Sequence, residues 1–152
     1  MLVKDFIKNF NQDCRIRVAV FDKNILADSL YINVDDIKAP ITNYEIKSIS
    51  INHRFVLKVK PIGKFNIRKI FPPHDITFDD FLKLYDRKSS ATFGLKIKYK
   101  DGSSNYFFTT DIDNIECQYK DFKIGYIDYD SMANQIDMDF YEGTREWKKI
   151  VF

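Results

Sequence analysis

Apolar residues recur along the chain with two different spacings, and the order of these spacings occurs twice. Residues 2–10 and 76–85 carry apolar side chains three or four positions apart, which predicts an amphipathic helix in each segment. The second segment opens with Thr77, and Asp80 three positions later predicts a capping box. The runs that follow each helix alternate apolar and polar residues, which is typical of half-buried strands.

Four alternating runs follow each predicted helix. After the first helix they occupy residues 15–22, 28–37, 44–51 and 54–60; after the second they occupy residues 93–101, 104–115, 121–129 and 135–141. Asp101-Gly102 between two such runs is typical of a hairpin turn. The repeated order predicts an α+β fold made of two diverged copies of a helix plus a four-stranded antiparallel β unit. We expect the copies to pack together, because separate halves of this length would bury less surface.

The prolines divide the chain into segments. We expect a first αββββ unit in residues 1–60, a Pro-bounded linker in 61–75, a second αββββ unit in 76–142 and a closing segment in 143–152. Within the linker, residues 64–70 are predicted to form a short edge strand. The closing segment is predicted to contact the core through Trp147, Ile150 and Phe152.

Hydropathy and cysteine content predict a cytoplasmic protein. No apolar run approaches the ~18 residues of a transmembrane helix. The first residues lack the apolar region and the cleavage site of a signal peptide. Cys14 and Cys117 are too few for a disulfide framework or a zinc site, so we expect two reduced thiols.

The residue types that carry catalysis are poorly represented. Both histidines, His53 and His74, fall in predicted turns, and no nucleophile, metalloprotease or phosphate-loop motif occurs. We therefore expect a protein that is not an enzyme, with no catalytic residue, no metal and no cofactor. Pairs of aspartates two positions apart leave three interpretations open: a Mg²⁺ or Ca²⁺ site, a solvated polar face, or an acidic binding surface.

Charge is unevenly distributed along the chain. Residues 1–100 contain 19 Lys and Arg against 11 Asp and Glu, whereas residues 101–142 contain two basic residues against ten acidic ones. The acidic block can be balanced within the molecule, or it can dock on a basic protein surface, such as that of a nuclease or another nucleic-acid-binding protein. The predicted partner-binding residues are Asp111, Asp113, Asp128, Tyr129, Asp130, Asp137, Asp139 and Tyr141.

A basic surface provides the alternative function, which is nucleic-acid binding by a basic strand and the linker. Its candidate residues are Lys64, Arg68, Lys69, Lys96, Lys98 and Lys100. Because these cations are scattered and the isoelectric point of about 8.4 is modest, nucleic acid ranks below a protein partner. No membrane partner is expected, and the sequence does not determine the oligomeric state.

The opening VKDFIKNFNQDCRIRVAVFD resembles the helix-then-strand starts of small accessory proteins from phages and mobile elements of low-GC bacteria. Some of those proteins are anti-CRISPR or other host-defence inhibitors, which act by binding and blocking. The resemblance implies an inhibitor of a bacterial defence nuclease that works by steric and electrostatic occlusion in the host cytoplasm.

Overall fold

The computed structural model describes residues 1–63, 75–114 and 116–143 of the chain, and they contain two similar α+β units. The first unit contains α1 (Val3–Ile7), β1 (Arg15–Asp22), β2 (Ile25–Asn33), β3 (Glu45–Ile51) and β4 (Phe55–Lys60). The second contains α2 (Phe78–Leu84), β5 (Thr92–Lys98), β6 (Ser104–Thr109), α3 (Glu116–Tyr119), β7 (Lys123–Asp130) and β8 (Gln135–Tyr141). The predicted linker strand at 64–70 and the closing contacts of Trp147, Ile150 and Phe152 lie outside the described residues.

Both units have the same strand order. The first sheet is ordered β2-β1-β4-β3 and the second β6-β5-β8-β7. A register shift lies between Ile46 and Ser48 in β3, and its counterpart lies between Ile124 and Tyr126 in β7. The α+β class with two similar units, predicted from the sequence, is confirmed.

The prediction of antiparallel sheets is wrong for the central strand pairs. β1 pairs with β4 in parallel, as β5 does with β8, whereas the outer pairs are antiparallel. Each sheet therefore joins two hairpins through their parallel inner strands. Alternation within a strand does not contain this information, because it is the same for either direction of pairing.

The α2 helix begins with the predicted capping box. The Thr77 hydroxyl accepts a hydrogen bond from the Asp80 amide at 3.3 Å, and the Asp80 carboxylate accepts one from the Thr77 amide at 3.0 Å. Phe81 and Tyr85 turn inward onto Phe93 of β5. In the first unit, Phe10 packs edge-to-face against Phe55 of β4, the strand that corresponds to β8.

The segment that follows each helix continues into the other unit. Phe10 forms a parallel bridge with Ile127 of β7, and Tyr85 forms one with Ile49 of β3. The amide of Asn11 donates to the Ile127 carbonyl at 2.8 Å, and its counterpart Asp86 donates to the Ile49 carbonyl at 2.7 Å. This reciprocal exchange joins the units, and their buried faces form one hydrophobic core.

Candidate docking face

The outer faces of the two sheets carry different residues at equivalent positions. In the first sheet, two rows that cross all four strands read Tyr31–Arg17–Val56–Ser50 and Ser29–Ala19–Lys58–Ser48. In the second sheet, the equivalent rows read Phe108–Gly94–Asp137–Asp128 and Tyr106–Lys96–Asp139–Tyr126. We call the second set, together with Lys98 and Tyr141, the acidic face. The same backbone frame thus carries Arg17 and Lys58 in one unit, and three aspartates with Lys96 and Lys98 in the other.

Two carboxylates of the acidic face lie directly opposite each other. Asp128 pairs with Asp137 across β7 and β8, an arrangement of like charges that is unfavourable by itself. The side-chain amide of Asn11 donates to the Asp128 carboxylate at 3.1 Å, and the side-chain amide of Gln135 donates to the Asp137 carboxylate at 2.7 Å. These neutral donors hold the carboxylates in place without cancelling their charge. Asn11 comes from the first unit, so both units position the acidic face.

Lys98 balances the negative charge of one carboxylate of the acidic face. Its ammonium lies 3.4 Å from the Asp139 carboxylate and 3.2 Å from the Tyr141 hydroxyl. Burial lowers the pKa of Lys98, but the hydrogen bond to Tyr141 and the charge of Asp139 outweigh it, so the net pKa is raised. Lys98 therefore stays charged at neutral pH and pairs with Asp139.

Aromatic rings accompany the carboxylates. Tyr106 and Phe108 on β6 are 57% and 58% exposed, and their rings form an edge-to-face pair with centroids 5.0 Å apart. Partial burial raises the pKa of the Tyr106 phenol, and the charges of Asp137 and Asp139 raise it further. Tyr126 is also exposed, and burial followed by the charge of Asp128 raises its pKa. Exposed rings within an anionic field are typical of interface anchors.

The structure brings four of the predicted partner-binding residues together. These residues are Asp128, Asp137, Asp139 and Tyr141, all on the acidic face. Asp130 lies at the exposed end of β7, where its carboxylate accepts hydrogen bonds from the Met132 and Ala133 amides and caps the turn.

Tyr129 was predicted to be a partner-binding residue, but the structure places its side chain in the interior. The side chain is 6% exposed and lies on the inner side of β7, with its ring 6.0 Å from Phe55. Its hydroxyl donates to the Asn134 side chain at 2.7 Å. Burial raises the pKa of Tyr129 to about 12, so the phenol is neutral at physiological pH.

Asp111 and Asp113 lie apart from the acidic face, so their predicted position on a strand is wrong. β6 ends at Thr109, whose hydroxyl accepts a hydrogen bond from the Asp111 amide at 3.0 Å. A 3-10 helix at Ile112–Asn114 follows, and Asp113 forms an ion pair with Arg87 there. The threonine turn ends the strand, although the apolar alternation continues in the sequence.

The predicted nucleic-acid residues are divided among several places. Lys96 and Lys98 lie on the acidic face among the carboxylates, and Lys100 follows the end of β5. Lys64, Arg68 and Lys69 lie outside the described residues. Because aspartates alternate with the lysines on this sheet, the β5 cations do not form a continuous basic surface.

Sequence reasoning missed the aromatic part of the acidic face. The signal was present, because Tyr106 and Phe108 alternate with Phe107 along β6. Phe107 is half-buried against the core, whereas its two neighbours point outward. Gly94 lies opposite Phe108 on β5. The space that a Cβ at Gly94 would need is occupied by the Tyr106 hydroxyl, the Gln135 side-chain amide and the Asp137 carboxylate.

A polar cavity lies where the two units meet. Its volume is about 390 Å³, and its lining includes Asn11, Cys14, Arg15, Tyr31 and Asp128. Burial raises the pKa of Cys14, which keeps the thiol protonated and unreactive at neutral pH. Within residues 1–63, 75–114 and 116–143, no three His, Cys, Asp or Glu side chains are grouped as metal ligands.

The chain is an α+β protein of two similar units, with aspartates, lysines and exposed aromatic rings on the outer side of the second sheet. Comparison with known proteins gives no match to a family model, a curated protein or a solved structure. In the part of the chain that the structure describes, no helix is long and apolar enough to cross a membrane.

Proposed function

We propose that this chain is a protein-binding module that docks its acidic face on a basic surface of its partner. The observation that supports this is the combination, on one sheet, of exposed aromatic rings with two aspartates that form no ion pair among the described residues. Tyr106, Phe108 and Tyr126 supply apolar contact area, and Asp128 and Asp137 supply charge. Interfaces obtain most of their affinity from a few aromatic anchors, while charge steers association and fixes orientation.

The spacing of the carboxylates fits a partner surface that normally binds phosphates. Asp137 and Asp139 are two residues apart on β8 and therefore about 7 Å apart on one face. Asp128 adds a third charge on the neighbouring strand. The resemblance of the opening segment to phage accessory proteins supports a defence nuclease as the partner. The module would block the nucleic-acid groove of such a nuclease by occupying it.

The test compares charge reversals at equivalent positions of the two sheets. Wild-type protein, the double variant Asp137→Lys/Asp139→Lys and the matched control Lys58→Glu are immobilised and exposed to a lysate of a low-GC bacterium. We expect wild type and the control to retain the same basic protein and the double variant to lose it. Retention by all three proteins would exclude the acidic face as the docking site.

A second step tests occlusion. The captured protein is purified, and its binding to a labelled oligonucleotide that the chain alone does not bind is measured with and without the chain. Occlusion predicts that the chain competes with the oligonucleotide and that Tyr106→Ala/Phe108→Ala competes less well. Simultaneous binding of chain and oligonucleotide would show that docking occurs without blocking.

A further inference from the structure

Three arginines converge on one tyrosine ring at the outer face of the first sheet. The guanidinium carbons of Arg15, Arg54 and Arg17 lie 4.8, 5.2 and 5.7 Å from the centre of the Tyr31 ring. Arg15 and Arg17 are two positions apart on β1 and therefore share one side of it. Arg54 precedes β4, and Tyr31 lies on β2. Stacking on the ring orders the planar guanidiniums while their N–H groups remain available to an oxyanion.

These arginines have no carboxylate partner within the described residues. The salt bridges there involve other cations, and Arg17 donates to the Ser29 hydroxyl at 2.8 Å. The two rows that cross this sheet contain no acidic residue. The three neighbouring positive charges repel one another, and an anion bound at Arg17 and Arg54 would relieve that repulsion.

The cations also extend along the sheet. Lys58 lies four residues after Arg54, which places the two about 13 Å apart along the strand. Lys47, Lys58 and Phe21 line a shallow depression of about 330 Å³ at that end. We call the surface formed by Arg17, Arg54, Tyr31, Lys58 and Lys47 the basic face. Its length exceeds that of a single phosphate, so it fits an extended polyanion.

We infer that the basic face binds single-stranded nucleic acid through its phosphate backbone. Arg17 and Arg54 would hold one end of the bound segment and Lys58 and Lys47 the other. Val56 lies between Arg54 and Lys58 on the outer side of β4, and Ala19 pairs with Lys58 on the neighbouring strand. Unpaired bases stack on guanidinium planes and aromatic rings, and a flat sheet is a common platform for them.

The path of the bound nucleic acid across the sheet follows from the neighbouring charges. Asp13, Asp128 and Asp130 line the cavity beside Arg15 at the junction of the units. These carboxylates repel phosphate, so Arg15 marks the boundary of the basic face. The path therefore leads from Arg17 and Arg54 toward Lys58. This inference is independent of the proposed protein partner, which uses the other sheet.

Fluorescence anisotropy with a fluorescein-labelled single-stranded oligothymidine tests the inference on the full chain. We expect wild type to bind at low salt and Arg17→Gln/Arg54→Gln to bind roughly tenfold more weakly. The slope of log affinity against log salt should fall by about 0.7 for each lost phosphate contact. Lys96→Gln is the matched control, because Lys96 is a cation on the acidic face, and it should bind like wild type.

Competition identifies the chemical class of the ligand. Unlabelled single-stranded DNA should displace the probe at lower concentration than polyglutamate or duplex of the same length. Displacement by polyglutamate at the lower concentration would assign the face to an acidic polypeptide and overturn the inference. Unchanged affinity of Arg17→Gln/Arg54→Gln, or no wild-type binding at low salt, would overturn it as well.

Discussion

Asn134 is a buried amide in the turn between β7 and β8, and its side chain bonds to both units. Its oxygen accepts hydrogen bonds from the His53 amide at 2.9 Å and from the Tyr129 hydroxyl at 2.7 Å. Its nitrogen donates to the Ser90 carbonyl at 3.0 Å. Asn134 also has a φ of 48°, a conformation that asparagine tolerates better than most residues. The Asn134 side chain therefore pairs a backbone amide in a turn of the first unit and the buried hydroxyl of a tyrosine in the second.

Replacing Asn134 with Ala should lower the free energy of unfolding by about 3 kcal/mol. The substitution leaves the buried Tyr129 hydroxyl and the partly buried His53 backbone amide without their partner, and a buried unpaired group costs about 1–3 kcal/mol. Urea denaturation followed by circular dichroism measures the change. The control Asn33→Ala, at an exposed asparagine, should change stability by less than about 0.5 kcal/mol. Equal losses in the two variants would contradict the role of Asn134 as a junction.

Residue-level predictions succeeded where strict alternation was applied. Asp137 and Asp139 share one side of β8, as their spacing predicted. Tyr129 was assigned to the same surface as Asp128 and Asp130, although it lies between them in sequence. Neighbouring residues of a strand point to opposite faces, so alternation alone would have placed Tyr129 inside. Asn134 could not be recognised from sequence, because its partners come from distant parts of the chain.

Among the elements, β3 and β7 have a register shift at the same position, but a different residue type occupies it in each strand. Lys47 occupies the shifted position in β3 and is exposed, whereas Gly125 occupies it in β7. The Tyr141 ring packs across Gly125 so closely that a Cβ would overlap its ring carbons. The glycine is therefore required by the packing of the ring, and its counterpart in the first unit has no such requirement.

Gly125→Ala should reduce stability by about 2 kcal/mol, because the added methyl forces the Tyr141 ring away. Thermal and urea unfolding of the variant give the value. Lys47→Ala, at the equivalent position, is expected to be nearly neutral. In a Tyr141→Ala background the cost of Gly125→Ala should largely disappear, since the colliding ring is absent. An undiminished cost there would mean that the backbone, and not the ring, rejects the methyl.

The order of elements was predictable, but the way strands pair was not. Two predicted strands, residues 15–22 and 135–141, match β1 and β8 at both ends, and the capping box at Thr77 was confirmed. Alternation within β1 and β4 does not show that these strands run in parallel. That pairing depends on how two hairpins meet in the folded unit. The end of β6 was also missed, because the chain turns there, where the Thr109 hydroxyl accepts a hydrogen bond from the Asp111 backbone amide.

For the whole molecule, a repeated frame carries different polar and charged residues at equivalent positions. Lys58 and Asp139 occupy corresponding positions, as do Ser50 and Asp128. The inner faces instead form one apolar core, in which Phe55 of the first unit contacts Tyr129 of the second. The charge imbalance along the sequence predicted an acidic surface in the second half. It did not locate the arginines around Tyr31, because β1, β2 and β4 bring them together only after folding.

The most direct test of the acidic docking face is an NMR titration of isotope-labelled full-length chain with the purified basic partner. Amide shifts then map the contact surface residue by residue. We expect the largest changes on β6, β7 and β8, including Tyr106, Asp128 and Asp137, and little change on the basic face. Changes concentrated on the first sheet around Arg17 and Lys58, with the second sheet unaffected, would contradict it.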